Sequence, residues 1–205
     1  WISPVVRNVE EDAGFDGYHG YWTQAFDETN PHFGDMAKLR EMVDACHERE
    51  IAVILDVVTN HVGQLFYYDI NMNGSPDEAT WGNGSTSDVM HVSEWDPDYD
   101  ERGVQAWTSL GESGPAPVYF VNYPESNRVP PSPEEFGNPG WYNRRGRVFD
   151  WGQMDQVVKG DFPGGLKDLK TSDPEVQDAL IRAFHFWIEN VDFDANDGSG
   201  VLIDD

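Results

Sequence analysis

The stretch Ile51-Ala52-Val53-Ile54-Leu55 followed by Asp56-Val57-Val58-Thr59-Asn60-His61 constrains this chain most. Five consecutive apolar residues that end in an acid, an amide and an imidazole predict a buried parallel strand over 51–58 with polar groups at its C-terminal end. In α/β proteins that end of a parallel strand opens into the cleft where chemistry is done. Upstream, Asp35 is placed to cap a helix running to about Glu50. Met36, Leu39, Met42, Val43 and Cys46 share one face of it at helical spacing. With a strand end at residues 1–6 and a loop over Asp12–His32, the order strand, loop, helix, strand predicts a right-handed βαβ unit.

Beyond Val62 the regular pattern dissolves. Pro, Gly, Asn, Asp and aromatics dominate to about Gly165, with turn signals at Pro130-Pro131-Ser132-Pro133 and Asn138-Pro139-Gly140. So long a structureless loop does not suit a compact domain, and an inserted subdomain of short strands is the expectation. Order returns at Thr171-Ser172-Asp173-Pro174-Glu175, a strong helix start. Val176, Leu180, Ala183, Phe184, Trp187 and Ile188 then give an apolar stripe to about Asn190. The predicted organisation is 1–61, an insertion over 62–165, and 166–205.

The formal net charge is −25. Such an acidic excess disfavours nucleic acid and anionic membranes, and it suits a neutral ligand, cations or a saline medium. No apolar run has membrane-spanning length, so membrane insertion is not expected. The single Cys46 permits no intrachain disulfide, and its place on the apolar helix face predicts a buried, inert thiol. Asp69-Ile70-Asn71-Met72-Asn73-Gly74 alternates acid or amide with other residues and ends in Gly, like the first half of a calcium loop. Thr80 stands where such a loop needs its bidentate Glu, and Asp77 is the nearer acid. A plain Asn-Gly turn explains the same residues.

Four segments, taken in order, resemble the α-amylase family, glycoside hydrolase family 13. They are Trp1-Ile2-Ser3-Pro4-Val5; Tyr18-His19-Gly20-Tyr21-Trp22 with Thr29-Asn30-Pro31-His32-Phe33-Gly34; Asp56 to His61; and Gly165-Leu166-Lys167-Asp168-Leu169. The second is most similar to cyclodextrin-forming and maltogenic members. The resemblance implies an α/β fold: part of a (β/α)8 TIM barrel, from strand two to about strand four, with an irregular, β-rich domain B inserted. It implies a retaining glycosidase or transglycosylase acting on α-glucans or maltooligosaccharides, in which one carboxylate attacks the anomeric carbon and another serves as acid and base.

Residue by residue, the resemblance makes Tyr21 the ring that stacks on a sugar, against the plainer reading of a core aromatic. His61 would hydrogen-bond sugar hydroxyls, with His19 a weaker candidate of the same kind. Asp56 would hold the site together rather than attack. Asn60 and Asp168 would bind a structural Ca²⁺ between barrel and domain B, and Asp69, Asn71, Asn73 and Asp77 form the separate candidate loop. The family's nucleophile should follow the last helix. Gly200-Val201-Leu202-Ile203-Asp204 is a degraded match there, with Leu202 where an Arg belongs, so Asp204 is a weak candidate nucleophile. The general acid is expected on a later strand, and the chain as it stands is expected to be inactive. The missing Arg supports a second reading, a non-catalytic amylase-like binding or transporter-accessory subunit. Charge and the Asp69 loop alone would support a third, a calcium-dependent interaction domain. The family and the acidic surface favour a secreted or periplasmic home.

Overall fold

The computed structural model describes residues 2–12, 15–82, 87–91, 98–103, 114–120, 129–162 and 166–191. In chain order the strands and helices are β1 (Val6–Asn8), β2 (Glu11–Asp12), β3 (Phe15–Asp16), β4 (Thr23–Thr29), α1 (Met36–His47), β5 (His61–Val62), β6 (Tyr67–Tyr68), β7 (Glu78–Gly82), β8 (Ser87–His91), β9 (Val118–Tyr119), α2 (Met154–Lys159), β10 (Lys167–Asp168) and α3 (Pro174–Val191). The named strands form five antiparallel pairs: β1 with β4, β2 with β3, β5 with β10, β6 with β9, and β7 with β8.

Both long helices form where their caps and periodicity predict them. The Asp35 carboxylate accepts the Lys38 N–H at 2.9 Å and starts α1. Asp173 does the same for α3, accepting the Glu175 N–H at 3.0 Å, with Pro174 filling the first position. On α3 the buried residues are Val176, Ala179, Leu180, Ala183, Trp187 and Val191, a stripe at the expected spacing. On α1 only Val43 is fully buried; Met36, Leu39 and Met42 pack at the edge of the same cluster. Cys46, expected to be buried, is half-buried and free.

Two expectations fail. Residues 51–58 form no strand, and only Ile54 makes an isolated bridge. Val53 and Leu55 turn onto the α1–α3 cluster while Ile54 is 63% exposed. An extended segment becomes a strand only when another backbone pairs with it, and among the described residues no named strand forms a ladder with 51–58. The predicted parallel βαβ unit is therefore absent from the described ladders. Conversely, β4 lies inside the span expected to be a loop. Thr23, Gln24, Ala25 and Phe26 are all buried, and their mixed polarity hides the strand from a periodicity reading.

The main core gathers Phe26 from β4, Phe66 and Tyr68 around β6, Phe136, Trp141 and Tyr142 from the irregular region, and Leu169, Val176 and Leu180 from around α3. Phe26 and Phe136 lie 4.4 Å apart at their ring centres, and Phe66 stands edge-on to Tyr142 at 5.3 Å. The second cluster places Val5, Val6 and Val43 against Trp187. Trp187 is fully buried, and its indole N–H donates to the Phe26 carbonyl. This one side chain therefore joins α3 to β4. Trp187→Ala is expected to cost about 3–5 kcal/mol of unfolding free energy, read as a lower denaturant midpoint at unchanged slope.

Candidate functional site

The site is assembled by a two-residue ladder. His61 pairs with Asp168 and Val62 with Lys167 across β5 and β10, and the Leu169 N–H donates to the Asn60 carbonyl at 2.9 Å. Two segments 108 positions apart are thereby brought side by side. The ammonium of buried Lys167 lies 4.7 Å from the Phe66 ring centre, which fixes β10 on the aromatic core.

A second loop reaches the same place from the N-terminal side. The buried Asn8 carboxamide accepts the Trp22 N–H at 2.5 Å, and the Val9 N–H donates to the Trp22 carbonyl at 2.9 Å. Gly20 has φ +83°, and a Cβ there would sit 2.7 Å from Pro4, so the loop closes on Pro4 only because position 20 is glycine. Tyr21 follows. Its hydroxyl donates to Asp56 Oδ2 at 3.0 Å, and its backbone N–H donates to His19 Nδ1 at 3.0 Å. The His19 ring lies nearly parallel to that of Tyr21 at 6.0 Å and edge-on to Trp22 at 4.8 Å.

Asp56 holds the Tyr21 phenol above its ordinary pKa, chiefly through the hydrogen bond the phenol donates. Burial pushes both imidazoles, His19 and His61, below theirs; at His61 the Tyr21 backbone carbonyl opposes the shift in part. Both histidines are thus biased toward the neutral form, which can donate and accept at once. His61 Nε2 is buried and meets no partner of ordinary hydrogen-bond geometry among the described residues. Tyr21, Asp56, His19 and His61 therefore share one partly open locality built on β5 and the loop before β4.

Next to it lies an oxygen-rich cluster. Asp168 is 1% exposed; its Oδ2 accepts from the Asn143 amide at 2.5 Å and its Oδ1 from the Asn60 amide at 3.4 Å. Asp161, also 1% exposed, accepts the Asp168 N–H at 3.1 Å. Burial, reinforced by the Asp161 charge, pushes the Asp168 carboxyl up to about 8, against the pull of the two amide donors. Neither Asn143 nor Asp161 was marked by the sequence reading. Asp161 follows a short helix, and Asn143 lies 25 positions before Asp168 with no motif around it.

The Asp69 loop is turned onto its own backbone. Asp69 accepts from the N–H groups of Asn73 at 3.1 Å and Gly74 at 2.9 Å. Asp77 accepts from the N–H groups of Ile70 and Asn71 and from the Asn71 amide. Asn71 and Asn73 accept from Asn73 N–H and Ser75 N–H, each at 3.0 Å. Every one of the four side chains serves as a turn former, with Gly74 at φ +93°. Among the described residues no group of three or more His, Cys, Asp or Glu side chains could hold a metal. Asp204 lies outside the described residues. No helix among the described residues is long and apolar enough to cross a membrane.

The chain as a whole has counterparts among known proteins. The family described as "Alpha amylase, catalytic domain" matches residues 1–196. The chain is 26% identical over 202 residues to an alpha-amylase of Streptomyces lividans, across 95% of this chain and 21% of that protein. It is 25% identical over 193 residues to a cyclomaltodextrin glucanotransferase of Klebsiella oxytoca, across 92% of this chain and 22% of that one. It superimposes on the alpha-amylase of Geobacillus thermoleovorans, solved with acarbose, with a TM-score of 0.51 at 25% identity, covering 95% of this chain and 28% of the other. The chain belongs to the alpha-amylase catalytic-domain family, and its fold is amylase-like. It spans between a fifth and a third of the length of these relatives.

The raised Asp168 pKa makes a signed prediction. Because the folded state favours the protonated acid, this group's contribution is fully present below about pH 4 and is lost as pH rises through about 8. In chelator, the melting temperature of the wild-type chain should fall across pH 5–8 relative to Asp168→Asn, by several degrees given about 2–4 °C per kcal/mol for a chain this size. Parallel curves for the two proteins would overturn this.

Proposed function

We propose that this chain is part of a retaining enzyme that hydrolyses or transfers α-glucosidic bonds, its residues contributing a segment of a (β/α)8 barrel with domain B inserted at 62–165. The observation that supports this reading best is the meeting of Tyr21, Asp56 and His61 from segments far apart in sequence. The Tyr21 ring offers a flat apolar face to the CH side of a pyranose. The His61 imidazole is biased toward its neutral form, which can both donate to and accept from a sugar hydroxyl. Asp56 orients the Tyr21 ring through its hydroxyl and is engaged there, which suits a supporting role better than attack. His19 backs the Tyr21 ring and its loop. The alpha-amylase and glucanotransferase relatives supply the chemistry: a carboxylate nucleophile and a carboxylic acid on opposite sides of the scissile bond. Asp204 is the candidate nucleophile within this chain. The non-catalytic accessory reading is less favoured, because the relatives carry enzyme names and Tyr21 and His61 are both present and close together here.

A structural Ca²⁺ belongs to the same proposal. Asp168, Asp161 and the side-chain carbonyls of Asn60 and Asn143 are oxygen donors of the kind a hard dication takes. Two buried carboxylates this close resist joint ionisation, and a bound cation would relieve that. The residues therefore fit the ion, which would stabilise the ionised pair and pin β10 to β5. The Asp69 loop fits less well, since its oxygens already cap backbone N–H groups. An extracellular or periplasmic home accords with such a site.

Within a complete catalytic domain carrying this chain, Tyr21→Ala should lower kcat/KM on maltoheptaose about tenfold, the worth of one lost ring contact. The products released by the unmodified enzyme should be α-anomers by NMR. Absence of cleavage or transfer on any α-glucoside by the folded domain would refute the enzyme reading. Calcium at about 100 times its Kd should raise unfolding free energy by about 2.7 kcal/mol. Asp168→Asn should abolish that gain, and a gain of equal size in the variant would place the ion elsewhere.

A further inference from the structure

The His61 ring is covered on one side by Phe162. Their centroids are 5.4 Å apart and their planes 13° from parallel. Trp151 stands edge-on to Phe162 at 6.4 Å and 78°. The backbone on both sides of Phe162 is held: the Val148 N–H donates to the Asp161 carbonyl at 3.2 Å, the Asp161 N–H donates to Gly146 at 2.7 Å, and Phe162 bridges Leu166. Although its backbone is fixed this way, Phe162 is 47% exposed and Trp151 57%. One face of Phe162 lies on His61, and nearly half of the residue stays open to solvent beside it.

Two neighbouring aromatic rings, Phe162 and Trp151, left half open beside a polar site offer a ligand an apolar contact. The ligand must carry both characters, because imidazole, amide and carboxylate groups surround the ring. A pyranose does so, with a CH face for the ring and hydroxyls at its edge. It is also uncharged, as the −25 chain requires of a ligand it does not repel or trap. Phe162 touches the imidazole directly, so a sugar on its open surface would be the neighbour of one held at Tyr21 and His61.

Building on the proposed function, we infer that Phe162, propped by Trp151, binds the glucose unit adjacent to the one at Tyr21 and His61, so that this chain selects glucans of two or more α-linked units over single glucose. Phe162 is a specificity-determining residue in this scheme, and Trp151 a positioning residue.

The test is calorimetric titration of the 205-residue chain with glucose and with maltotriose. Phe162→Ala should weaken maltotriose about three- to tenfold and leave glucose unchanged. Phe162→Tyr, which keeps the flat face, should restore maltotriose binding. Phe162→Leu, which keeps apolar bulk without that face, should lose it, and this variant decides the matter if the alanine protein melts early. Native maltotriose affinity in both the Ala and Leu variants overturns the inference. Equal losses for glucose and maltotriose also overturn it, since Phe162 would then merely support His61. Failure of the unmodified chain to bind either sugar would remove this inference together with the sugar site at Tyr21 and His61. Loss of binding in Tyr21→Ala but not in Phe162→Ala would leave that site standing and remove only the Phe162 subsite.

Discussion

The pairing of His61 with Asp168 is the constraint on which the rest depends. It is only two residues long on each strand, too short to be stable alone. What holds it is the aromatic core behind it, where Lys167 lies over Phe66 and Leu169 packs with Tyr142 and Val176. The ladder in turn places Asn60 against Asp168 and leaves His61 facing the loop that carries Tyr21. Without it, the imidazole and the buried acid would belong to unconnected segments.

The polar cluster beside the ladder runs against the usual economy of a core. Asp161 and Asp168 are both buried, and one donates its backbone N–H to the other's carboxylate. Amides from Asn60 and Asn143 satisfy Asp168 only partly, since its carboxyl still sits far above the ordinary carboxylate range. A fold that keeps such a pair at the seam between two distant segments has made the seam sensitive to charge. That sensitivity, more than the overall acidity of the chain, ties its stability to pH.

Legibility from sequence followed the range of the forces involved. The helices α1 and α3 were readable because capping by Asp35 and Asp173 and the 3.6-residue apolar repeat act within a few residues. The stretch at 51–58 misled, because apolar content licenses a strand without supplying the neighbour that makes one. The strand β4 was missed, since Thr23, Gln24, Ala25 and Phe26 are buried on both sides and show no alternation. Of the site, Tyr21, Asp56, Asn60, His61 and Asp168 were nameable through resemblance, and the structure brings them to one locality. Asn143, Asp161 and Phe162 carry no local signal and join only through long-range packing.

The residue types at this site, and the family they point to, were therefore settled by the order of short motifs along the chain, because each motif acts through its own few residues. Which of those residues touch, which acid is forced toward neutrality, and which ring covers the imidazole were decided by tertiary structure alone. Burial, like-charge proximity and ring stacking are properties of segments brought together from far apart, and no local pattern encodes them.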